Sequence, residues 1–139
     1  MTRMTGGTNL KELLGSMSAS LVDGLYVFVT RSDNALPAGL VPRMIFQEAE
    51  GTTLIVLESD AKAHQLDYEF PCRMITLNIH SSLEAVGFIA RIATELAKHD
   101  MGVNPVAGFY HDHLFVPDGR EHDAIAVLND LAANSEKGA

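Results

Sequence analysis

The 139-residue chain lacks the features of an exported, membrane-spanning or nucleic-acid-binding protein. Its one cysteine, Cys72, has no partner for an internal disulfide, which favours a reducing compartment, and we expect the cytoplasm. The first residues, MTRMTGGTNL, contain no apolar run of signal-peptide length, and no stretch approaches the roughly 18 apolar residues of a membrane-spanning helix. With 10 Lys and Arg against 18 Asp and Glu, neither nucleic acid nor an anionic membrane is an expected partner.

What the chain does contain is ordinary for a globular protein, with 47% of its residues hydrophobic and 20% charged. The hydrophobic periodicity divides it into two halves, residues 8–70 and residues 71–134. The first half is predicted to contain, in order, a helix at 10–17, a strand within 24–31, a loop at 31–42, a hairpin of 44–48 and 53–58 around Gly51, a short helix ending at Leu66 and a linker at 67–71.

The second half predicts a strand over Cys72–Ile79, whose apolar residues alternate as in a sheet with one buried face. A helix follows and is predicted to run to about His99, with Ser81 and Glu84 spaced as a capping box at its start and Gly102 as the stop beyond its end. The remaining predicted elements are a hairpin of 103–110 and 113–116 around a turn at His111 and Asp112, and a last helix that Asp118 and Glu121 would cap. The order β-α-β-β-α is a ferredoxin-like unit without its final strand, which the first half could supply.

Four stretches carry a resemblance to a known family: GLYVFVT at 24–30, FQEAEGTTLIVL at 46–57, ITLNIHSSLEAVG at 75–87 and VAGFYHDHLFVP at 106–117. Across most of 10–133 the chain resembles small bacterial proteins made of two fused ACT domains. The resemblance implies an α+β, ferredoxin-like sandwich of two ACT-like halves, with an antiparallel sheet covered by helices on one side. It also implies a non-enzymatic regulatory module that binds small molecules, often amino acids, in the loop after the first strand of a domain.

In this chain that loop is HSSLEAVG at 80–87, where His80-Ser81-Ser82 replaces the family's usual Asp followed by Pro-Gly. The free N–H groups and the dipole of a following helix attract anions, so a ligand carboxylate could bind there. The alternative is plain capping, in which Ser81 and Glu84 satisfy those donors themselves. The candidate ligand-binding residues are His80, Ser81, Ser82, Leu83, Glu84, Val86, Gly87, Asn104, His111, Asp112 and His113.

A second hypothesis is a metal-dependent enzyme that uses His80, His111 and His113, because histidine is the commonest metal ligand. The simpler interpretation is that Asp112 forms a turn and the histidines lie at the surface. We therefore expect no metal and no cofactor. Glu48 and Glu50 flank a hairpin turn and are expected to be solvated rather than catalytic, and Cys72 is expected to be structural.

The predicted sheet also indicates an interaction partner. A sheet with one bare face leaves Tyr26, Phe28, Met74 and Phe115 without assured cover, so we expect a homodimer through an edge or a face. The function that these observations favour is the sensing of a small metabolite, with the bound state altering a regulated protein partner. A third hypothesis is a dimerisation or scaffold module with no ligand.

Overall fold

The computed structural model describes residues 9–137 and shows an α+β fold with one antiparallel sheet. The helices are α1 (Leu10–Ser16), α2 (Glu58–Ala63), α3 (Phe88–Ala97) and α4 (Glu121–Lys137). The strands are β1 (Ala19–Leu21), β2 (Tyr26–Arg31), β3 (Met44–Gln47), β4 (Thr52–Leu57), β5 (Glu69–Leu77), β6 (Asn104–Ala107) and β7 (Asp112–Pro117). The strand order is β3-β4-β2-β5-β7-β6, and β1 also pairs with β5. None of the helices in the described range is long and apolar enough to cross a membrane.

The long strand β5 belongs to both halves of the molecule. Its beginning pairs with β2, where Tyr26 faces Cys72, and its end pairs with β1, where Ala19 faces Leu77. The strand that the second half lacks is therefore β1, which comes from the first half. This is the possibility that the sequence analysis raised. Each half completes a four-stranded ferredoxin-like unit only by borrowing a strand segment from the other.

All four helices cover the same side of the sheet, as expected. Alternation along β5 turns Ile75 and Leu77 toward α1, α3 and α4, and both side chains are fully buried. Over β2 and β4, α2 buries Ala61 against Val27 and Val56. This face therefore carries two adjoining apolar cores, one per half.

The helix-free face of the sheet is also buried at its centre, although the sequence did not show what would shield its apolar residues from water. The cover comes from aromatic side chains that meet edge to face: the ring of Phe115 lies 6.0 Å from the rings of both Tyr26 and Phe28. The guanidinium of Arg43 donates to the Tyr26 hydroxyl (2.8 Å). Phe115 is 1% exposed and Met74 5%. The middle of this face needs no partner to be shielded from water.

Several boundaries differ from the predictions. The linker predicted at 67–71 is wrong because β5 already begins at Glu69. Between the pairs Tyr26–Cys72 and Phe28–Glu69, two residues of β5 face one of β2, so the strand bulges and Phe70 takes a φ of +57°. The helix α3 ends at Ala97, close to the predicted end near His99, and Asp100 rather than Gly102 takes the left-handed conformation after it.

Two predicted polar roles are also corrected. The Asp118 carboxylate accepts from Arg73 Nε at 3.0 Å, and Glu121 accepts from the Gly119 N–H at 2.7 Å, so these two acids do not form the predicted capping box. The hairpin of the second half turns through 108–111, and Asp112 already belongs to β7. Asp112 is therefore held by the strand ladder and is not free to form the turn.

Cys72 is expected to resist thiol reagents in the folded protein. Its side chain is fully buried, the thiol lies 3.4 Å from the Tyr26 carbonyl, and burial raises the pKa of the thiol to about 12. At pH 8 the reactive thiolate is therefore scarce and out of reach. The measurement is the rate of reaction with a chromogenic disulfide, with and without urea. Fast labelling of the folded chain would contradict the burial.

Candidate functional site

The candidate site lies where β5 ends and α3 begins. The helix begins at Phe88, and Gly87 precedes it with a φ of +88°, a conformation that favours glycine. No side chain caps this end of α3. The capping box predicted for Ser81 and Glu84 is therefore wrong, because the chain forms a loop over 78–87 before it turns helical. The uncapped first turn leaves backbone N–H groups available to a ligand.

The two serines of the loop make different hydrogen bonds. The Ser81 hydroxyl donates to the Asp112 carboxylate at 3.1 Å, and these residues are only 8% and 7% exposed. The Ser82 hydroxyl accepts from the Glu84 N–H at 3.1 Å, within a turn closed by the Ala85 N–H and the Ser82 carbonyl. Ser81 thus fastens the loop to β7, and Ser82 shapes the loop itself.

A cavity of about 180 Å³ lies between this loop, the first turn of α3 and the hairpin of β6 and β7. This volume is below the roughly 300–1,000 Å³ of pockets for drug-sized ligands, so only a small metabolite would fit. Five of the candidate residues line it: Ser81, Ser82, Leu83, Gly87 and Asp112. Sequence analysis missed its other lining residues, which are Ala85, Phe88, Ile89, Ala90 and Ala107.

Larger depressions occur elsewhere, but their charged groups lie in solvent. One of about 630 Å³ lies beside β2, where Asp67 and Glu69 are both exposed. One of about 420 Å³ lies between α1, α3 and α4, and its charged residues, Lys11 and Arg91, are exposed as well. The smaller cavity differs because a buried carboxylate lines it, and a group of that kind gains most from a bound partner.

Four other candidate residues lie outside the cavity lining. The His80 ring packs against the exposed Tyr110 ring at 5.4 Å. Glu84 and Val86 point to solvent, and Val86 is 84% exposed. Asn104 is exposed at the far end of β6, where it pairs with Phe115.

The histidines of the β6–β7 hairpin do not converge on a metal site. His111 lies in the turn, and its ring centre is 6.5 Å from that of His113. His113 lies on the face of β7 opposite Asp112, and its Nδ1 is 3.0 Å from the Thr76 hydroxyl. Burial, and then the nearby His111, lower the pKa of His113. Across residues 9–137, no group of three or more His, Cys, Asp or Glu side chains is arranged to hold a metal ion.

The two glutamates of the first hairpin are exposed, and Glu48 accepts a hydrogen bond from the Thr53 hydroxyl. They line none of the cavities described above.

Sequence models of the ACT domain match residues 5–73 and residues 69–130. The chain belongs to the ACT-domain family. Its two ACT domains are fused in tandem, and the cavity lies in the second of them. ACT domains are regulatory ligand-binding domains, and this is the general class to which the chain belongs. No curated protein matches the chain.

Solved structures agree with this assignment. A Vibrio cholerae protein of unknown function, described as a possible transport protein, is 41% identical, with 88% of this chain and 95% of that chain covered and a TM-score of 0.81. The fold is shared with the aspartokinase alpha and beta subunits, at 13% identity, a TM-score of 0.66 and coverage of 82% and 96%. The regulatory subunit of aspartate kinase from Thermus flavus gives 10% identity, a TM-score of 0.52 and coverage of 82% and 96%.

Proposed function

We propose that this tandem ACT protein is a non-enzymatic sensor that binds an amino acid or a closely related zwitterion in the cavity beside Asp112. One observation carries the proposal: the same small cavity joins a buried carboxylate to the uncapped N-terminus of α3. In this proposal, the candidate residues that line the cavity contact the ligand. The other candidates do not contact it: His80, Glu84, Val86, Asn104, His111 and His113.

The two ends of the cavity have opposite electrostatic character. The first N–H groups of α3 and the positive end of its dipole favour a carboxylate. The Asp112 carboxylate, which has Ser81 as a hydrogen-bond donor, favours an ammonium group. An α-amino acid carries both groups on one carbon, so a single small ligand satisfies both ends.

The rest of the lining limits the ligand's side chain. Ala85, Ala90 and Ala107 are small, Ile89 is apolar, and neither Lys nor Arg is among the lining residues. An acidic side chain would find no cation there, and a large aromatic one would exceed the volume. We therefore expect a small, uncharged side chain.

Regulation follows from linkage. A ligand that binds one arrangement of the loop and α3 more tightly shifts the population toward it, and a protein partner that contacts this region responds. The Thermus flavus neighbour is a regulatory subunit of aspartate kinase, which supports a role of this kind for a separate chain.

The test is titration calorimetry with a panel of amino acids, on the wild type and on Asp112→Asn. We expect binding of a small neutral amino acid and affinity weaker by roughly 10- to 150-fold in the variant, because a charged hydrogen bond contributes about 1.5–3 kcal/mol. The matched control is Asp130→Asn, which makes the same change at an exposed position.

Two outcomes would count against the sensor. A panel with no binding at millimolar concentration leaves the ligand-free scaffold as the better hypothesis. Equal affinity in Asp112→Asn and the wild type would mean that the ligand binds elsewhere.

A further inference from the structure

Another cavity, of about 330 Å³, lies in the first ACT domain and shares no lining residue with the cavity in the second domain. Two of its lining residues, Tyr26 and Leu57, pair across β2 and β4 and belong to the apolar cluster of the helix-free face. The others, Val41, Pro42 and Arg43, directly precede β3. Pockets that hold small molecules begin at about 300 Å³, so this cavity is large enough for one.

The charged group of this cavity is held in place by a buried side chain. The guanidinium of Arg43 donates to the Tyr26 hydroxyl from Nη2 at 2.8 Å and from Nε at 3.3 Å. Tyr26 is only 5% exposed, so its ring is fixed by the surrounding core. A guanidinium has five N–H groups, and the other three remain available to a ligand. Because Arg43 is ordered beforehand, a ligand that binds it loses less entropy.

The positive charge of Arg43 is not neutralised within residues 9–137. No described carboxylate forms an ion pair with it, although the chain contains 18 acidic residues and 10 basic ones. Glu58, which follows Leu57 in the chain, is engaged by Lys62 at 3.2 Å and by the Tyr68 hydroxyl at 3.1 Å. The cavity therefore favours an anion.

We propose that this cavity binds a small apolar monocarboxylate. The planar fork of a guanidinium matches the two oxygens of a carboxylate. Leu57, Val41 and Pro42 provide apolar walls for a short hydrocarbon chain. A phosphate dianion is less suited, because no second Lys or Arg lines the cavity. Val41 is 82% exposed, so the ligand can enter from solvent.

The same lining disfavours an amino acid. An α-ammonium group needs an acceptor, preferably a carboxylate, and neither Asp nor Glu is among the lining residues. Arg43 would also repel the ammonium group. The two domains thus differ in their ligands: the second has a carboxylate that suits a zwitterion, whereas the first suits an acid without an amino group. This site does not depend on the function proposed for the second domain.

The proposal is tested by titration of the whole protein, followed through the NMR signal of the Arg43 Nε–H group. Ionic strength is kept constant because salt screens exposed charges. The probes are isocaproate, leucine, isocaproamide and inorganic phosphate; leucine is isocaproate with an α-amino group, and the amide has no charge. We expect saturable binding of isocaproate at millimolar concentration, affinity for the amide lower by about 10-fold or more, and weaker binding of leucine and phosphate. Absence of saturation with isocaproate, or equal binding of leucine, the amide or phosphate, would overturn the proposal.

Variants separate the charge of Arg43 from its geometry, with affinity for isocaproate measured by calorimetry and folding checked by circular dichroism. Arg43→Gln is expected to abolish binding. Arg43→Lys keeps the charge without the fork, and Tyr26→Phe keeps the buried ring without the hydroxyl, so both are expected to bind several-fold more weakly. The matched control is Arg91→Gln, which removes the same charge from an exposed position on α3 and is expected to bind like the wild type. Wild-type affinity in Arg43→Gln, or an equal loss in Arg91→Gln, would refute a site at Arg43.

Discussion

Phe115→Ala is expected to lower the free energy of unfolding by about 3–5 kcal/mol, the usual range for truncation of a buried phenylalanine. Phe115 is 1% exposed, and its ring touches those of Tyr26 and Phe28 edge to face, both at 6.0 Å. Both neighbours belong to β2, which is held by its own ladder and cannot move far to fill the space. The cavity would therefore remain largely open.

The same substitution tests whether the two ACT domains unfold as one unit. Phe115 comes from the second domain and its ring partners come from the first, so we expect one urea transition in both far- and near-ultraviolet circular dichroism. Phe109→Ala is the control, because that ring is 57% exposed, and it is expected to change stability by less than about 1 kcal/mol. A small loss for Phe115→Ala, or two separate transitions, would show that the helix-free face is not a shared core.

Much of this fold was predictable because its strands are strongly patterned. The alternation of Ile75 and Leu77 with Met74 and Thr76 predicted which residues lie on each face of β5. The structure places them on those faces. The three-residue strand β1 was not predicted, since Ala19–Leu21 is too short to show a period and contains no β-branched residue. It forms because β5 offers a partner that lies more than fifty residues away in the chain.

The site was only partly predictable, for a related reason. The spacing of Ser81 and Glu84 matches a capping box, but Ser81 donates to Asp112, which is 31 positions away. A local pattern shows which nearby groups a side chain could hydrogen-bond, but it does not show which distant partner the side chain bonds in the folded protein. The loop itself was found, whereas Ala90 and Ala107 were missed because small apolar residues have no sequence signature of a cavity wall.

Leu14→Ala is expected to lower the free energy of unfolding by about 2–5 kcal/mol, although it lies in a helix of only seven residues. Leu14 is 3% exposed and belongs to the core of the second domain, together with Ile92 and Leu128. A helix of seven residues is too short to be stable by itself, and this one is held by its buried side chains. Leu83→Ala is the matched control, because Leu83 is 66% exposed.

Hydrogen exchange in Leu14→Ala would then separate two ways of losing stability. The Asn78 N–H donates to the carbonyl of Ser18 at 2.7 Å, and Ser18 lies in the connection between α1 and β1. If the N-terminal segment is an integral part of the second domain, Asn78 and the amides in the middle of β5 should lose protection together. Loss confined to Asn78, with urea stability near that of the wild type, would mean that α1 and β1 open separately and that the second domain does not depend on the strand it borrows.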